Sequence, residues 1–175
     1  IFPHHENELA QSKAAKPNKN FVKYWLHNGM INLSGKKMSK SEGNVKILKD
    51  YIDEYSGDVM RFYFLRAQYR SPQEFTEDLL IESRTTFKKI SEFVEDSKSA
   101  PIDKNLLHIF EACMGDDLNT PKLIGEIFIQ INQSLTLEEE ELQNFRSTVR
   151  FIFDILGFTF TKVENEKLHK DKLNF

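Results

Sequence analysis

Apolar residues recur every three or four positions through most of the chain after residue 57, and this spacing constrains the fold more than any other feature. Such a period collects apolar side chains on one face of a helix. The segment 58–68 has little polar face, which predicts a largely buried helix. The later helices are amphipathic and should face the core with Leu80, Phe87, Ile90, Val94, Leu106, Phe110, Cys113, Ile124, Ile127, Phe128, Ile131, Leu142, Phe145, Val149, Ile152, Phe153 and Leu156. Four amphipathic helices with short connections predict a helical bundle.

Capping residues predict where these helices begin and end. Short polar side chains at an N-cap accept hydrogen bonds from the free backbone N–H groups of the first helical turn. The predicted N-caps are Thr76, Asp103, Thr120 and Thr136, and Glu139 stands at capping-box spacing from Thr136. Gly157 suits the position just past the last helix, which is therefore predicted over about residues 137–156.

The first third of the chain alternates shorter elements. Pro3 can start a helix, predicted over 3–15, because its missing N–H would be unpaired there anyway. The pattern of 21–27 predicts a strand. A serine–glycine turn signal separates 31–33 from 36–38, which predicts a hairpin.

These elements predict a mainly α protein in which the closing part of a nucleotide-binding α/β fold is followed by an α-helical bundle. The predicted regions are 1–50 for the end of the nucleotide-binding domain, 51–75 for a connecting region, 76–160 for the bundle and 161–175 for a polar tail. Residues after about 58 are expected to be almost entirely helical.

Two lysines three residues apart lie in a short glycine-flanked segment that consists of Lys37, Met38, Ser39, Lys40 and Ser41. Ammonium groups and small hydroxyl side chains suit the binding of a polyphosphate, and the flanking glycines let a loop close over a ligand. Residues 34–50 hold five lysines against one glutamate and one aspartate, a net charge of +3. The alternative interpretation is a basic surface loop without a ligand.

His4 and Glu8 lie one turn apart on the predicted first helix and therefore share one face. An imidazole and a carboxylate at this spacing can supply two of the four ligands of a tetrahedral zinc ion. His5 points about 100° away around the helix and is expected to stay outside the metal shell. A surface histidine–glutamate pair without a metal is the alternative, and the spacing alone does not decide between them.

Composition argues against several protein classes. The chain has 39% hydrophobic and 29% charged residues and a net charge of −3, unlike a disordered chain or a uniformly basic nucleic-acid binder. No apolar run is long enough to span a bilayer, so no membrane association is expected. Cys113 is the single cysteine, and its helical spacing from Leu106 and Phe110 favours a buried thiol. The lack of an internal disulfide fits a reducing, cytoplasmic location.

Several segments resemble one enzyme family. Residues 25–44, which contain the lysine segment, resemble the KMSKS signature loop of class I aminoacyl-tRNA synthetases. Residues 2–12, with the sequence FPHHENELAQS, resemble the zinc-binding helix of cysteinyl-tRNA synthetases. Residues 58–79 and 114–121 are similar to segments that follow in the same family. The resemblance covers roughly residues 1–160.

The resemblance implies a chemistry for each candidate site. Cysteinyl-tRNA synthetases activate cysteine with ATP and magnesium and then transfer it to the 3′ end of tRNA(Cys). Lys40, assisted by Lys37, would stabilise the negative charge that builds on the ATP phosphates, in a binding loop completed by Met38, Ser39 and Ser41. His4 and Glu8 would hold a zinc ion that binds the substrate thiolate, and the family's two cysteine ligands lie outside this chain. The bundle would bind tRNA, and a monomer is expected.

The chain also departs from the family pattern. No cysteine precedes His4, the His-x-Gly-His type ATP signature is missing upstream, and the small C-terminal anticodon-reading domain is missing. We therefore expect an internal to C-terminal segment of a synthetase that does not catalyse aminoacylation by itself. Two other interpretations are kept: the cysteine ligase of mycothiol synthesis, which joins cysteine to a sugar amine, and a non-catalytic helical module that binds tRNA or a protein partner.

Overall fold

The structure is a computed structural model that describes residues 2–17, 20–33, 36–37 and 48–160. Its seven α-helices and three strands are, in chain order, α1 (His4–Ala15), β1 (Ile31–Leu33), β2 (Lys36–Lys37), α2 (Leu48–Tyr55), α3 (Gly57–Leu65), β3 (Gln73–Phe75), α4 (Glu77–Glu95), α5 (Lys104–Gly115), α6 (Thr120–Gln133) and α7 (Glu139–Ile155). A one-turn 3-10 helix, Ser134–Thr136, separates α6 from α7. The expected mainly α architecture is confirmed.

The core lies between helices α3 to α7. Most residues predicted to face inward are buried, including Leu80, Ile90 and Ile152, which are completely enclosed. Phe110, Phe128, Ile131 and Leu156 are partly buried and pack against that core, and Leu142 is partly exposed. Each fully buried aliphatic side chain of this kind contributes about 1.5–3 kcal/mol to folding. The apolar period therefore identified the face that each helix turns to the core.

Two of the predicted N-caps are confirmed. The Thr76 hydroxyl accepts a hydrogen bond from the backbone N–H of Leu79 at 3.3 Å. The Asp103 carboxylate accepts hydrogen bonds from two backbone N–H groups of the next turn, at 2.9 and 3.1 Å. At the other end of the bundle Gly157 follows α7 with a φ of +86°, as expected of a residue that closes a helix in the left-handed region.

The other two N-cap predictions are wrong. Asn119 caps α6 by accepting from the N–H of Lys122, whereas Thr120 is the first helical residue and donates its hydroxyl to the Leu65 carbonyl at 2.8 Å. Thr136 lies in the 3-10 turn and donates to the Gln133 carbonyl, so it forms no capping box. In both cases the threonine hydroxyl donates a hydrogen bond to a backbone carbonyl and does not accept one from a backbone N–H of the first helical turn.

A small sheet joins the first part of the chain to the bundle, with the strand order β2–β1–β3. β1 and β2 pair antiparallel, with Asn32 opposite Lys37, which confirms the predicted pairing of these two segments, and the predicted turn at 34–35 lies outside the described residues. β3 pairs with β1 in parallel, with Leu33 opposite Phe75. The expectation of an almost entirely helical chain after about residue 58 is therefore wrong at β3. The strand was not predicted because three residues are too few to show an alternating pattern in the sequence.

The predicted strand over 21–27 is wrong, since these residues form no regular element. A strand needs a neighbour to pair its backbone N–H and C=O groups, and no described segment offers one to this stretch. Several of its large apolar side chains are exposed, including Phe21, Tyr24 and Trp25. The apolar character that indicated a strand is therefore left on the surface.

Tyr63 links α3 to the sheet and provides a test at alkaline pH. Its hydroxyl donates a hydrogen bond to the backbone carbonyl of Glu74, and burial raises the pKa of Tyr63 to about 12. An unfolded tyrosine ionises near pH 10, whereas the pKa of Tyr63 in the folded protein is about 12. As pH rises between these values, ionisation therefore stabilises the unfolded state and not the folded state. The contribution of Tyr63 to stability should therefore be complete below pH 10 and lost between about pH 10 and 12.

This expectation is checked by urea unfolding as a function of pH for the parent protein and Tyr63→Phe. The variant should be less stable at neutral pH but should lose less stability between about pH 10 and 12. Tyr55, whose pKa is also raised to about 12 by burial, remains in both proteins and supplies the common background. Equal losses in the two proteins would contradict the assignment to Tyr63.

In the part of the chain that the structure describes, no helix is both long and apolar enough to cross a membrane.

Candidate functional site

Helix α1 brings together the two predicted metal-binding residues. The Nε2 atom of His4 lies 3.3 Å from Oε1 of Glu8, one helical turn away. Both side chains reach solvent, with exposed fractions of 79% for His4 and 46% for Glu8. No residue of α1 is buried, so the helix can present this pair to other groups without unpacking a core.

The spacing and donor types of this pair fit a zinc ion. Zinc binds imidazole nitrogen and carboxylate oxygen at 2.0–2.2 Å in a tetrahedral shell, so two such ligands lie about 3.3 Å apart. The observed distance between His4 and Glu8 is compatible with that value and equally with the surface ion pair that is the alternative. Two ligands leave two positions of the shell to fill. The described residues contain no cluster of three or more histidine, cysteine, aspartate or glutamate side chains that could hold a metal.

His5 packs into an aromatic cluster with Trp25 and His27. Its ring stacks on His27 with the centroids 4.7 Å apart and lies 5.2 Å from the ring of Trp25. Desolvation, with the positive potential of neighbouring groups such as His27, lowers the pKa of His5 below its ordinary value. Trp25 and His27 were not predicted as partners of α1, because no local sequence pattern connects them to that helix.

The structure describes only the beginning of the lysine segment. The backbone of Lys37 ends β2 opposite Asn32, while Met38, Ser39, Lys40 and Ser41 lie outside the described residues. The side-chain amide of Asn32 donates to Oε1 of Glu74 on β3 at 3.1 Å. The strand that leads into the lysine segment is therefore attached to the bundle side of the molecule through β1 and β3.

Residues 68–73 form backbone hydrogen bonds with the residues just before β1. The N–H of Gly29 donates to the Tyr69 carbonyl at 2.7 Å, and the N–H of Gln73 donates to the Met30 carbonyl at 2.8 Å. A Cβ atom on Gly29 would overlap the carbonyl group of Ser71. Glycine is therefore required at position 29 by close backbone approach, which the sequence did not reveal.

We expect Gly29→Ala to lower the free energy of unfolding by about 1–3 kcal/mol, the usual cost of forcing an extra carbon into a filled space. Urea unfolding measures this change. Gly125→Ala is the matched control, because a Cβ on Gly125 in the middle of α6 meets nothing within 4 Å. That variant should gain up to about 1 kcal/mol from helix propensity. A Gly29→Ala protein as stable as its parent would contradict the tight contact with Ser71.

Comparisons with known proteins divide the chain into two matched regions. Residues 1–85 match the family model of the class I (C) tRNA synthetase catalytic domain, and residues 109–161 match the DALR domain. Cysteine–tRNA ligase of Bacillus cytotoxicus is 37% identical over 93% of this chain and 39% of its own length. Cysteine–tRNA ligase of Pseudothermotoga lettingae is 43% identical over 75% of this chain and 30% of its own length.

One solved structure shares the fold at low sequence identity. It is the LeuRS of Agrobacterium radiobacter K84 in a ternary complex with tRNA and LeuAMS. The two chains superpose with a TM-score of 0.53 at 18% identity, over 74% of this chain and 20% of that one. The chain thus spans well under half the length of the proteins it matches.

Proposed function

Because this chain belongs to the class I tRNA synthetase family, we propose that it forms part of a cysteine–tRNA ligase and contributes its zinc half-site, its lysine loop and its tRNA-binding helices. The observation that carries the proposal is the 37% identity to a cysteine–tRNA ligase over 93% of this chain. The position of His4 beside Glu8 supports it, since a cysteine-specific enzyme benefits from a metal that binds thiolate.

The first step is the activation of cysteine. The cysteine carboxylate would attack the α-phosphorus of ATP, a mixed anhydride would form, and pyrophosphate would leave, with magnesium supplying charge neutralisation of the phosphates. Charge builds on the departing phosphates in the transition state, so an ammonium group placed there accelerates the reaction more than it tightens ATP binding. We assign that role to Lys40, with Lys37 assisting and Met38, Ser39 and Ser41 shaping the loop.

His4 and Glu8 supply two zinc ligands in this proposal, and two cysteine thiolates from elsewhere in the complete protein supply the others. The zinc ion, when bound, holds the substrate sulfur as thiolate. A serine hydroxyl ionises far less readily, so a swap of one atom that an apolar pocket would barely distinguish becomes a large difference in binding. His5 stays outside the shell in this assignment, consistent with its packing against His27.

The bundle, which includes the DALR-matched region, is proposed to bind tRNA(Cys) for the second step, in which a terminal ribose hydroxyl attacks the anhydride and AMP leaves. The division into regions 1–50, 51–75 and 76–160 remains a prediction, as do a monomeric state and a cytoplasmic location.

The proposal is tested with the full-length protein that contains this chain. We expect cysteine-dependent ATP–pyrophosphate exchange, little exchange with serine, and charging of tRNA(Cys). Amide formation between cysteine and an amino sugar, without tRNA charging, would favour the mycothiol-type ligase. Absence of any cysteine-dependent exchange would refute both enzymes and favour a non-catalytic helical module.

A further inference from the structure

Residues 68–72 form the joint between the first part of the chain and the bundle. On one side they accept the N–H of Gly29 and lead into β3, which pairs with β1. This pairing is the most extensive contact that β1 makes with the bundle side of the described structure. Because β1 also pairs with β2, the position of this joint determines where the lysine segment begins.

On its other side the joint is held by a single carboxylate of the bundle. Asp117 lies in the turn between α5 and α6 and accepts two hydrogen bonds from the Arg70 guanidinium, at 2.8 and 3.1 Å. The Tyr69 hydroxyl donates to the same carboxylate at 2.9 Å. The side-chain amide of Gln68 donates to the Asp117 backbone carbonyl at 3.0 Å. Three consecutive residues of the joint therefore contact one bundle residue.

The turn that carries Asp117 has an unusual backbone. Asp117 and Leu118 both have positive φ angles, 52° and 56°, a region that leucine in particular rarely adopts. The turn is also attached to α3, because the Thr120 hydroxyl donates to the Leu65 carbonyl. Hydrogen bonds to α3 on one side and to the end of α5 on the other therefore fix the backbone that carries the Asp117 carboxylate.

Stability alone does not account for this cluster. The side chains of Arg70 and Asp117 are 60% and 48% exposed, and ion pairs at such exposure contribute little to folding. The bidentate geometry, by contrast, specifies both distance and orientation. The bundle core is already closed by apolar packing of α3 against α4 and of α5 against α6 and α7.

We propose that Asp117 is a positioning residue that locks residues 68–72 and thereby holds β1 and β2, from which the lysine segment continues, in place relative to the bundle. This inference rests on the proposed function, since its consequence is a slower activation of cysteine by ATP. Asp117 itself touches no substrate in this assignment. It acts through Arg70 and Tyr69, the β3–β1 pairing and the hairpin.

The test uses the full-length protein and the variants Asp117→Asn, Arg70→Gln and the double variant. Asparagine keeps the size of the side chain and tolerates a positive φ, so Asp117→Asn removes the charge with little change in backbone preference. Asp154→Asn is the matched control, because it breaks an ion pair of similar exposure with Arg150 within α7, away from the joint. Cysteine-dependent pyrophosphate exchange is measured per titrated active site, with melting temperatures for every protein.

We expect each single variant to lower kcat about two- to thirtyfold, the range over which residues remote from a ligand usually act. The KM for cysteine should stay within about twofold, and the double variant should be no slower than the slower single variant, because both changes break one contact. The control should match the parent. Multiplicative losses in the double variant, or unchanged kcat in Asp117→Asn, would overturn the positioning role while leaving the proposed function intact. Absence of exchange in the parent protein would overturn the proposed function itself.

Discussion

Replacing Lys40 by alanine in the full-length protein is expected to reduce kcat for cysteine activation by a factor that corresponds to on the order of 2–4 kcal/mol. Losses of this size follow the removal of one electrostatic group that acts mainly in a transition state. Cysteine binding should hardly change, because in the proposed function the zinc site and not the lysine segment holds the thiolate. The measurement is cysteine-dependent ATP–pyrophosphate exchange over a range of cysteine and ATP concentrations.

Lys49→Ala provides the control for Lys40→Ala. It removes the same charge nine positions later, from the exposed surface of α2. If the net positive charge of residues 34–50 alone accelerated cysteine activation, the two variants would lose similar activity. If Lys40→Ala kept a normal kcat and lost cysteine affinity instead, Lys40 would belong to the amino-acid pocket.

His4→Ala should remove bound zinc from the full-length protein and weaken cysteine binding. Mutation of residues that only orient zinc ligands lowers metal affinity about ten- to hundredfold. Loss of a ligand itself should therefore lower zinc affinity by at least about 100-fold. The measurements are metal content after dialysis against a chelator and the KM for cysteine in pyrophosphate exchange. The expected loss follows from the proposed role of His4 as a zinc ligand beside Glu8.

His5→Ala separates metal binding from the packing of α1. It removes the neighbouring imidazole, which stacks on His27, contacts Trp25 and lies outside the proposed shell. This variant should retain zinc. Zinc loss in His5→Ala with retention in His4→Ala would reverse the assignment of the two histidines, and retention in both would refute the half-site on α1.

Local patterns predicted much of the fold because helices are stabilised by neighbours in sequence. The face of α4 with Leu80, Ile90 and Val94 was correctly predicted from the three-to-four spacing alone. Leu123, which is fully buried on α6, was not among the predicted core residues. Errors at helix starts, as at Thr120, arose because several polar residues near a helix end can compete to cap it.

The candidate site was predictable where its residues share one element. His4 and Glu8 lie on one helix, so their proximity follows from helix geometry. The stacking of His5 on His27 did not follow, because the two residues lie 22 positions apart and do not share an element. The requirement for glycine at position 29 also depends on a distant segment, residues 70–71, that no pattern near Gly29 indicates.

By itself the sequence determined the helical content, the inward face of each bundle helix and the proximity of His4 and Glu8 on α1, because all three depend on residues within one or two turns of each other. Only the tertiary structure decided that β3 pairs with β1, that residues 21–27 are not a strand, and that Asp117 meets Arg70 across 47 positions. Hydrogen bonds between strands and between distant turns depend on how the chain closes on itself. The spacing of apolar residues within one segment does not predict such long-range contacts.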